Sequence, residues 1–467
     1  MSIELSCAVR ADAVEAWRYL ASPGAFRRLS PPFMPLRPVS EADSLRDGRA
    51  VLAPRSALPG PLGTTLGPPW VARHEPDGFV EGERFRDRCV SQPYAALTGW
   101  VHEHTVVDGP GGAVLGDRVR ARVPARMLEP VFAYRYRHMD ADLARLRELA
   151  GHGGDVPLTV AVTGASGLIG TALTALLGVA GHRVVRLVRG TADGVDERRW
   201  DPDAPSPDLL DSVDVLVHLA GAPVVGRFTD EHVARVRDSR VDPTRRLAEL
   251  VAARGGRTTL VCASAIGYYG PDRGDEPLDE QADAGGGVLA GIVTDWENAC
   301  APARDTGARV VSMRTGLVLS GAGGLLPPLA AVVRSGLGGR IGSGRQWMSW
   351  ISLDDLADLY LRAVVDPDVA GPINAVAPGP VRNDEFVEAL GSVLRRPTPL
   401  PVPGWAPGVA LRRDGARETV LADQRVEPGW AVSTGHRFRH LDLSSAFAVE
   451  LGRQSVPGPT ELLGAGA

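Results

Sequence analysis

The stretch Thr163-Gly164-Ala165-Ser166-Gly167-Leu168-Ile169-Gly170 carries the residue types and spacing that point most directly to chemistry. An apolar run ends at its first residue and a helix-forming run extends to about Leu177, so the glycines fall on a strand-to-helix turn. Gly164 permits a tight turn, and Gly167 lets the backbone approach a pyrophosphate with no Cβ in the way. Gly170 allows the helix to pack closely on its strand. N–H groups at the helix start, with the helix dipole behind them, then face an anion. All 51 basic residues are arginine and none is lysine. That removes Schiff-base chemistry, a Walker-type phosphate lysine and any lysine that tunes a neighbouring acid.

The second strand selects the dinucleotide. An NAD site wants a carboxylate there to accept from the ribose hydroxyls. Here the strand ends Arg186-Leu187-Val188-Arg189-Gly190, with no carboxylate before Asp193. The Arg189 guanidinium could pair with a 2′-phosphate, a charge-assisted bond contributing about 1.5–3 kcal/mol. NADP(H) is therefore expected ahead of NAD(H), the alternative being that Arg189 is a solvated surface arginine. Ser264 ends the fourth predicted strand, where a hydroxyl could bond a substrate carbonyl. Tyr268 and Tyr269 follow, and either phenol could donate a proton if burial beside a cation tuned it. The alternative for both is loop packing. Arg314 reads as a buried ion-pair arginine, and His218 as a core histidine. Gln346, Trp347 and Trp350 would line a substrate pocket, the alternative being a hydrophobic lid that anchors the substrate lobe, and Asp354 and Asp355 would be a helix's cap and first-turn charges. His102 and His104 alternate on a strand, but no Cys/His spacing supports a site and no metal is expected.

Positioning these groups requires a layered scaffold. The 467 residues are 44% apolar and 23% charged, enough for about two to three domains. Residues 1–154 combine strands, among them 77–89 and 97–107, with one long amphipathic helix. Leu128, Phe132, Met139, Leu143 and Leu146 form its apolar face, and Arg135, Arg137, Asp140, Arg145 and Arg147 its other positions. From 156 to 395, strands and helices alternate, with a helical segment over 230–253. This rhythm predicts an α/β domain with a doubly wound parallel sheet. Residues 396–467 are a small appended segment. A net charge of −5 gives no pull toward nucleic acid or anionic membrane. The first residues lack a signal-peptide core, and four scattered cysteines suggest no disulfide framework, so a cytoplasmic protein is expected.

TGASGLIG, VDVLVHLAGAP and CASAIGYYG resemble the extended short-chain dehydrogenase/reductases, more narrowly their atypical "epimerase family" subgroup. SRVDPTR, MRTGLVLS, GLGGRIGSGRQWMSWISLDDL and NAVAPGPVRNDEF support this over about 159–390. The stretch 398–450 resembles that subgroup's C-terminal domain of unknown function. Residues 1–154 resemble a START/polyketide-cyclase-like helix-grip domain, an α+β fold. The resemblance implies a Rossmann domain over 156–395 and a small C-terminal α/β lobe completing the substrate site. It implies that Gly164, Ser166, Gly167, Leu168 and Ile169 line the pyrophosphate and Arg189 the adenosine ribose phosphate. Leu219, Ala220 and Gly221 would pack on the adenine–ribose side, and Ala263 and Ser264 would lie beneath the nicotinamide. Active family members carry a Tyr-xxx-Lys pair, whereas Leu289 and Val293 fall at those positions here. The implied protein is an NADP(H)-binding oxidoreductase of atypical chemistry with an N-terminal module for a small, apolar ligand. The alternative is a non-catalytic NADP(H) sensor.

Overall fold

The computed structural model describes residues 2–55, 67–154 and 156–464. It divides into two compact units. One comprises Met1–Gly151, Ala175–Gly181 and Ala448–Ala467, the other His152–Thr174 and His182–Phe447.

The first unit is an antiparallel half-barrel of seven strands. They are β1 (Ser2–Val9), β2 (Leu36–Ser40), β3 (Arg49–Pro54), β4 (Trp70–His74), β5 (Arg84–Cys89), β6 (Val101–Gly109) and β7 (Gly112–Arg120), in the order β1-β7-β6-β5-β4-β3-β2. Helices α1 (Ala13–Ala21) and α2 (Ala25–Arg28) follow β1, α3 (Tyr94–Thr98) precedes β6, and α4 (Ala125–Leu149) follows β7. Two expected strands are shorter than the sequence suggests. Residues 76–78 form a 3-10 turn before β5, and α3 ends on left-handed Gly99 before β6 begins. Burial alternates along β6 and β7, as in a sheet with one covered face. A two-residue turn, Pro110-Gly111, joins them, with Gly111 at φ 84°. The polar side of α4 is not the solvated face that periodicity implies. Asp140 and Asp142 are buried, because Arg10 pairs with Asp140 at 2.5 Å and Arg28 with Asp142 at 2.6 Å.

Seven parallel strands form the second unit's sheet. They are β8 (Thr159–Thr163), β9 (Arg183–Val188), β10 (Glu197–Arg199), β11 (Val215–His218), β12 (Thr259–Ala265), β14 (Val310–Thr315) and β18 (Gly371–Ala375). Their order, β10-β9-β8-β11-β12-β14-β18, reverses direction at β8, the doubly wound arrangement expected from the alternating pattern. Central strands are buried along nearly their whole length, which is why they read as unbroken apolar runs. Helix α5 (Leu168–Val179) starts directly after the glycine turn. The segment 230–253 is two helices, α6 (Asp230–Asp238) and α7 (Val241–Ala253). Pro243 lacks the N–H that a continuous helix would need there. Helix α8 (Val288–Asn298) returns chain from β12 towards β14. The C-terminal segment contributes a strand, Asp423–Val426, that pairs in parallel with Asp272–Leu278. Among the described residues, no helix is long and apolar enough to cross a membrane.

Candidate functional site

The glycine turn lies where β8 hands over to α5, at the carboxyl ends of the strands beside the reversal in strand order. Open α/β sheets bind ligands at this point. Gly164 adopts φ 67°, and a Cβ there would lie 2.9 Å from the Leu219 carbonyl carbon. A Cβ on Gly170 would lie 2.2 Å from the Gly164 carbonyl oxygen. Gly170 thus packs against the turn itself rather than the strand before it. Gly167 differs: its Cβ would meet only the Gly164 oxygen, at 3.3 Å, and the residue is exposed with Ser166. The Gly167 N–H closes the turn on Gly164 at 3.0 Å. The N–H groups of Ser166, Leu168 and Ile169 find no acceptor among the described residues. These are the unfilled donors of a helix start, gathered over a surface kept free of side-chain bulk. The residues present fit a dinucleotide diphosphate.

The β11 end is tied to this turn through Thr163. Its Oγ1 accepts from the N–H groups of Leu219 at 3.1 Å and Ala220 at 3.2 Å, and lies 2.7 Å from His218 Nδ1. With both acceptor positions filled, the hydroxyl proton goes to Nδ1, so His218 is the Nε2–H tautomer. Burial first, and Arg240 second, push the His218 pKa down to about 4. Its folded pKa lies below its unfolded value near 6.5, so the unfolded chain gains the proton first on acidification. Stability from the neutral ring is therefore complete above pH 6.5 and falls as pH drops toward 4, by about 3 kcal/mol. His218→Asn is expected to flatten that slope by one proton between pH 6.5 and 4, measured as unfolding midpoint against pH.

Gly221 borders a second arginine, since its Cβ would lie 3.0 Å from Arg240 Cζ. Arg240 is half-buried and bonds the Val236 carbonyl and Ser239, with no carboxylate partner among the described residues. Arg189 follows β9, exposed and likewise unpaired among the described residues.

Beyond β12 the candidate reaction groups meet in a polar network. Ser264 Oγ donates to Glu297 Oε1 at 2.5 Å. Arg314 takes both Glu297 oxygens at 2.9 Å and donates to the Tyr269 hydroxyl at 3.0 Å. The Tyr269 oxygen also lies 2.7 Å from Asn374 Oδ1 and 2.9 Å from the Asp279 carbonyl. Burial raises the Tyr269 pKa to about 12 despite Arg314. Glu297 more than offsets the burial that disfavours the Arg314 charge, holding its pKa above the ordinary value. The guanidinium carbon sits 3.5 Å from the Tyr268 ring centroid. Tyr268 is half-buried, and its hydroxyl has no hydrogen-bond partner among the described residues.

The structure therefore brings Ser264, Tyr268 and Tyr269 together around Arg314, but in unequal positions. Tyr269 is fully buried and holds the frame, Ser264 is occupied by Glu297, and Tyr268 alone offers a free hydroxyl. Ala263 is half-buried on β12 beside them. Leu289 and Val293 face Gly267 from α8, so the dyad positions are apolar and packed against the loop bearing the tyrosines. Trp350 is fully buried with its indole N–H on the Gly379 carbonyl, so it does not line a pocket. Trp347 bonds Asp275 and lies under Arg382, 4.0 Å from its Cζ. Gln346 Nε2 reaches the Ile341 carbonyl. Ser352 caps the helix Leu353–Val365, and Asp354 and Asp355 are the acidic residues of its first turn; buried Asp355 accepts from Arg439 N–H at 2.6 Å. Glu297 and Asn374 escape the sequence reading. Glu297 carries one signal, a carboxylate one turn beyond Val293 on an otherwise apolar helix face.

The fold and this site define an α/β protein built to hold a dinucleotide at the carboxyl ends of a parallel sheet, where its strand order reverses. Residues 160–376 match the NAD dependent epimerase/dehydratase family, and residues 402–449 a domain of unknown function, DUF1731. The chain belongs to the epimerase family. It is similar to the epimerase family protein Mb2239 of Mycobacterium bovis, 43% identical over 290 residues covering 62% of this chain and 95% of the relative. A solved structure titled nucleoside-diphosphate sugar epimerase, from Corynebacterium glutamicum, is 42% identical with a TM-score of 0.85, covering 97% of this chain and 91% of that one. The human epimerase family protein SDR39U1, solved with NADPH, is 30% identical with a TM-score of 0.58, covering 64% of this chain and all of that one.

Proposed function

We propose that this chain binds NADP(H) on the 164–170 turn and acts as an atypical short-chain oxidoreductase or epimerase-like enzyme on a small, apolar substrate. The observation that carries this reading is the set of unpaired N–H groups at Ser166, Leu168 and Ile169 over a glycine cradle. Free Arg189 after β9 supports the phosphorylated dinucleotide, as does the NADPH in the human relative. Leu219, Ala220 and Gly221 would wall the adenine–ribose side of the bound dinucleotide, and Ala263 and Ser264 would hold its nicotinamide end. A bound nicotinamide gives or takes hydride, so this chain must move the accompanying proton. Tyr268 holds that proton on its phenol oxygen, with Arg314 against its ring face. Tyr269, Ser264 and Glu297 keep Arg314 in place.

The strand order of the first unit, two short helices after β1 and a long helix after β7, supports a START-like helix-grip module. Tethering such a module would raise the local concentration of a shared small molecule. The apolar character of its ligand has less support, because the inner sheet face carries ionisable groups and borders a cavity of only about 20 Å³. Cytoplasmic residence is supported by four free, buried cysteines.

A second reading, dinucleotide sensing without turnover, is favoured by apolar Leu289 and Val293. Calorimetric titration with NADPH and NADH tests both. Arg189→Asp is expected to weaken NADPH at least 10-fold and NADH less than two-fold; equal losses would remove Arg189 from the phosphate. With a carbonyl panel, Tyr268→Phe is expected to abolish NADPH oxidation. Binding without turnover would leave the sensor reading standing, and no heat with either nucleotide would overturn both.

A further inference from the structure

The inward face of the antiparallel sheet should be apolar, yet it buries Asp87, His102, His104 and Asp117 at 8%, 6%, 7% and 5% exposure. Register explains their meeting. Asp87 on β5 stands opposite His102 on β6, and His104 stands opposite Asp117 on β7. Asp117 Oδ1 lies 2.7 Å from His102 Nε2 and 3.0 Å from His104 Nδ1. Where both rings are neutral and each directs an N–H to Asp117, a lone pair at His102 Nδ1 and at His104 Nε2 turns the other way; Arg135 Nη2 lies 3.4 Å from His104 Nδ1. Both face Asp87 Oδ2, at 3.8 and 3.5 Å. The other Asp87 oxygen is taken by the Trp100 indole N–H at 3.3 Å.

In that state three buried acceptors converge. Two carboxylates against the single nearby guanidinium, Arg135, leave one negative charge over. A cation must fill the gap. A proton on His104 would fill it as well, with one ring N–H on Asp117 and the other on Asp87, a hydrogen bond that closes to about 2.8 Å. The observed separations instead lie near the tetrahedral edge of about 3.3 Å set by metal–ligand bonds of about 2.0–2.1 Å. The ligand atoms of all three residues lie within 4.8 Å of one another.

We propose that Asp87, His102 and His104 bind a divalent transition metal of the zinc class, with Asp117 as the carboxylate that orients both imidazoles. This reverses the expectation of no metal. The sequence shows only two histidines two residues apart; the third ligand comes from a neighbouring strand. His102 binds through Nδ1 and His104 through Nε2, each with the N–H of its other ring nitrogen on Asp117, the arrangement that fixes metal-bound histidines elsewhere. Phe85 stacks on His104 at 4.2 Å between centroids, holding the ring plane. Nitrogen and carboxylate donors without sulfur suit Zn²⁺ or Co²⁺ rather than a thiophilic ion.

Tag-free full-length protein, stripped with chelator and dialysed against Zn²⁺ or Co²⁺, is expected to retain one ion per chain. The Co²⁺ form should show the intense visible absorption of a low-coordinate site. Its proton NMR spectrum should carry two exchangeable, paramagnetically shifted imidazole N–H signals. Asp87→Asn and His104→Gln should each lower Zn²⁺ affinity at least 10-fold, and Asp117→Asn 10- to 100-fold. Should the variants fail to fold, the wild-type stoichiometry and shifted signals decide alone. Folded wild-type protein that retains no ion, or retains it without the shifted signals, would overturn the site. So would His104 titrating as an imidazolium in the presence of excess Zn²⁺.

Discussion

Arg314→Met is expected to destabilise the parallel unit by about 3–5 kcal/mol, the cost of leaving a buried charge without its partner. Arg314 is 3% exposed and is the cation on both oxygens of Glu297. Its removal leaves that carboxylate beside Ser264 with nothing to balance it. The Tyr269 hydroxyl loses a donor as well, inside a pocket where water does not replace it. The double variant Arg314→Met/Glu297→Met should recover more than half of the loss, because it deletes both charges rather than one. Urea unfolding followed by tryptophan fluorescence measures this. A single variant within 1 kcal/mol of wild type would show that the frame around Tyr268 does not depend on the ion pair.

Gly170→Ala is expected to lower NADPH affinity more than 100-fold, which equals about 2.7 kcal/mol. The new methyl would sit 2.2 Å from the Gly164 oxygen and 2.8 Å from the Ala165 Cα, both main-chain atoms that cannot swing aside. The turn must open, and the N–H groups of Leu168 and Ile169 leave their shared direction. Gly167→Ala is the informative comparison, since its methyl meets the chain only at 3.3 Å. That variant should keep wild-type stability and still lose affinity, because the space it fills is the ligand's. Calorimetric titration with circular dichroism separates the two cases. Equal affinity in Gly167→Ala would place the diphosphate elsewhere.

Much of the parallel unit was legible because its signals are local. The glycine turn and the buried strand runs are each read within a dozen residues, and the missing lysine is read from composition alone. The place of Arg189 is legible for the same reason, as the residue immediately after a strand. Signals fail where partners come from distant strands. Glu297 and Asn374 lie on different elements from Tyr269, and only the sheet's winding brings them together. The polar side of α4 misleads because periodicity sorts residues by face without saying what covers each face. Asp140 sits on that polar side, yet it is buried with Arg10 on it at 2.5 Å. Trp350 misleads similarly, as an aromatic near a glycine-rich loop that the fold places wholly inside.

The turn at Pro110-Gly111 has a consequence for how this half-barrel can evolve. Side chains in a strand alternate sides, so one residue more or less in that connection slides β6 against β7 and sends His102 and His104 to the solvent side. Loop-length drift, tolerated at most surface bends, is therefore closed to this hairpin for as long as its inward imidazoles and Asp117 must stay in step. Lineages that keep the pair are bound to keep the two-residue count.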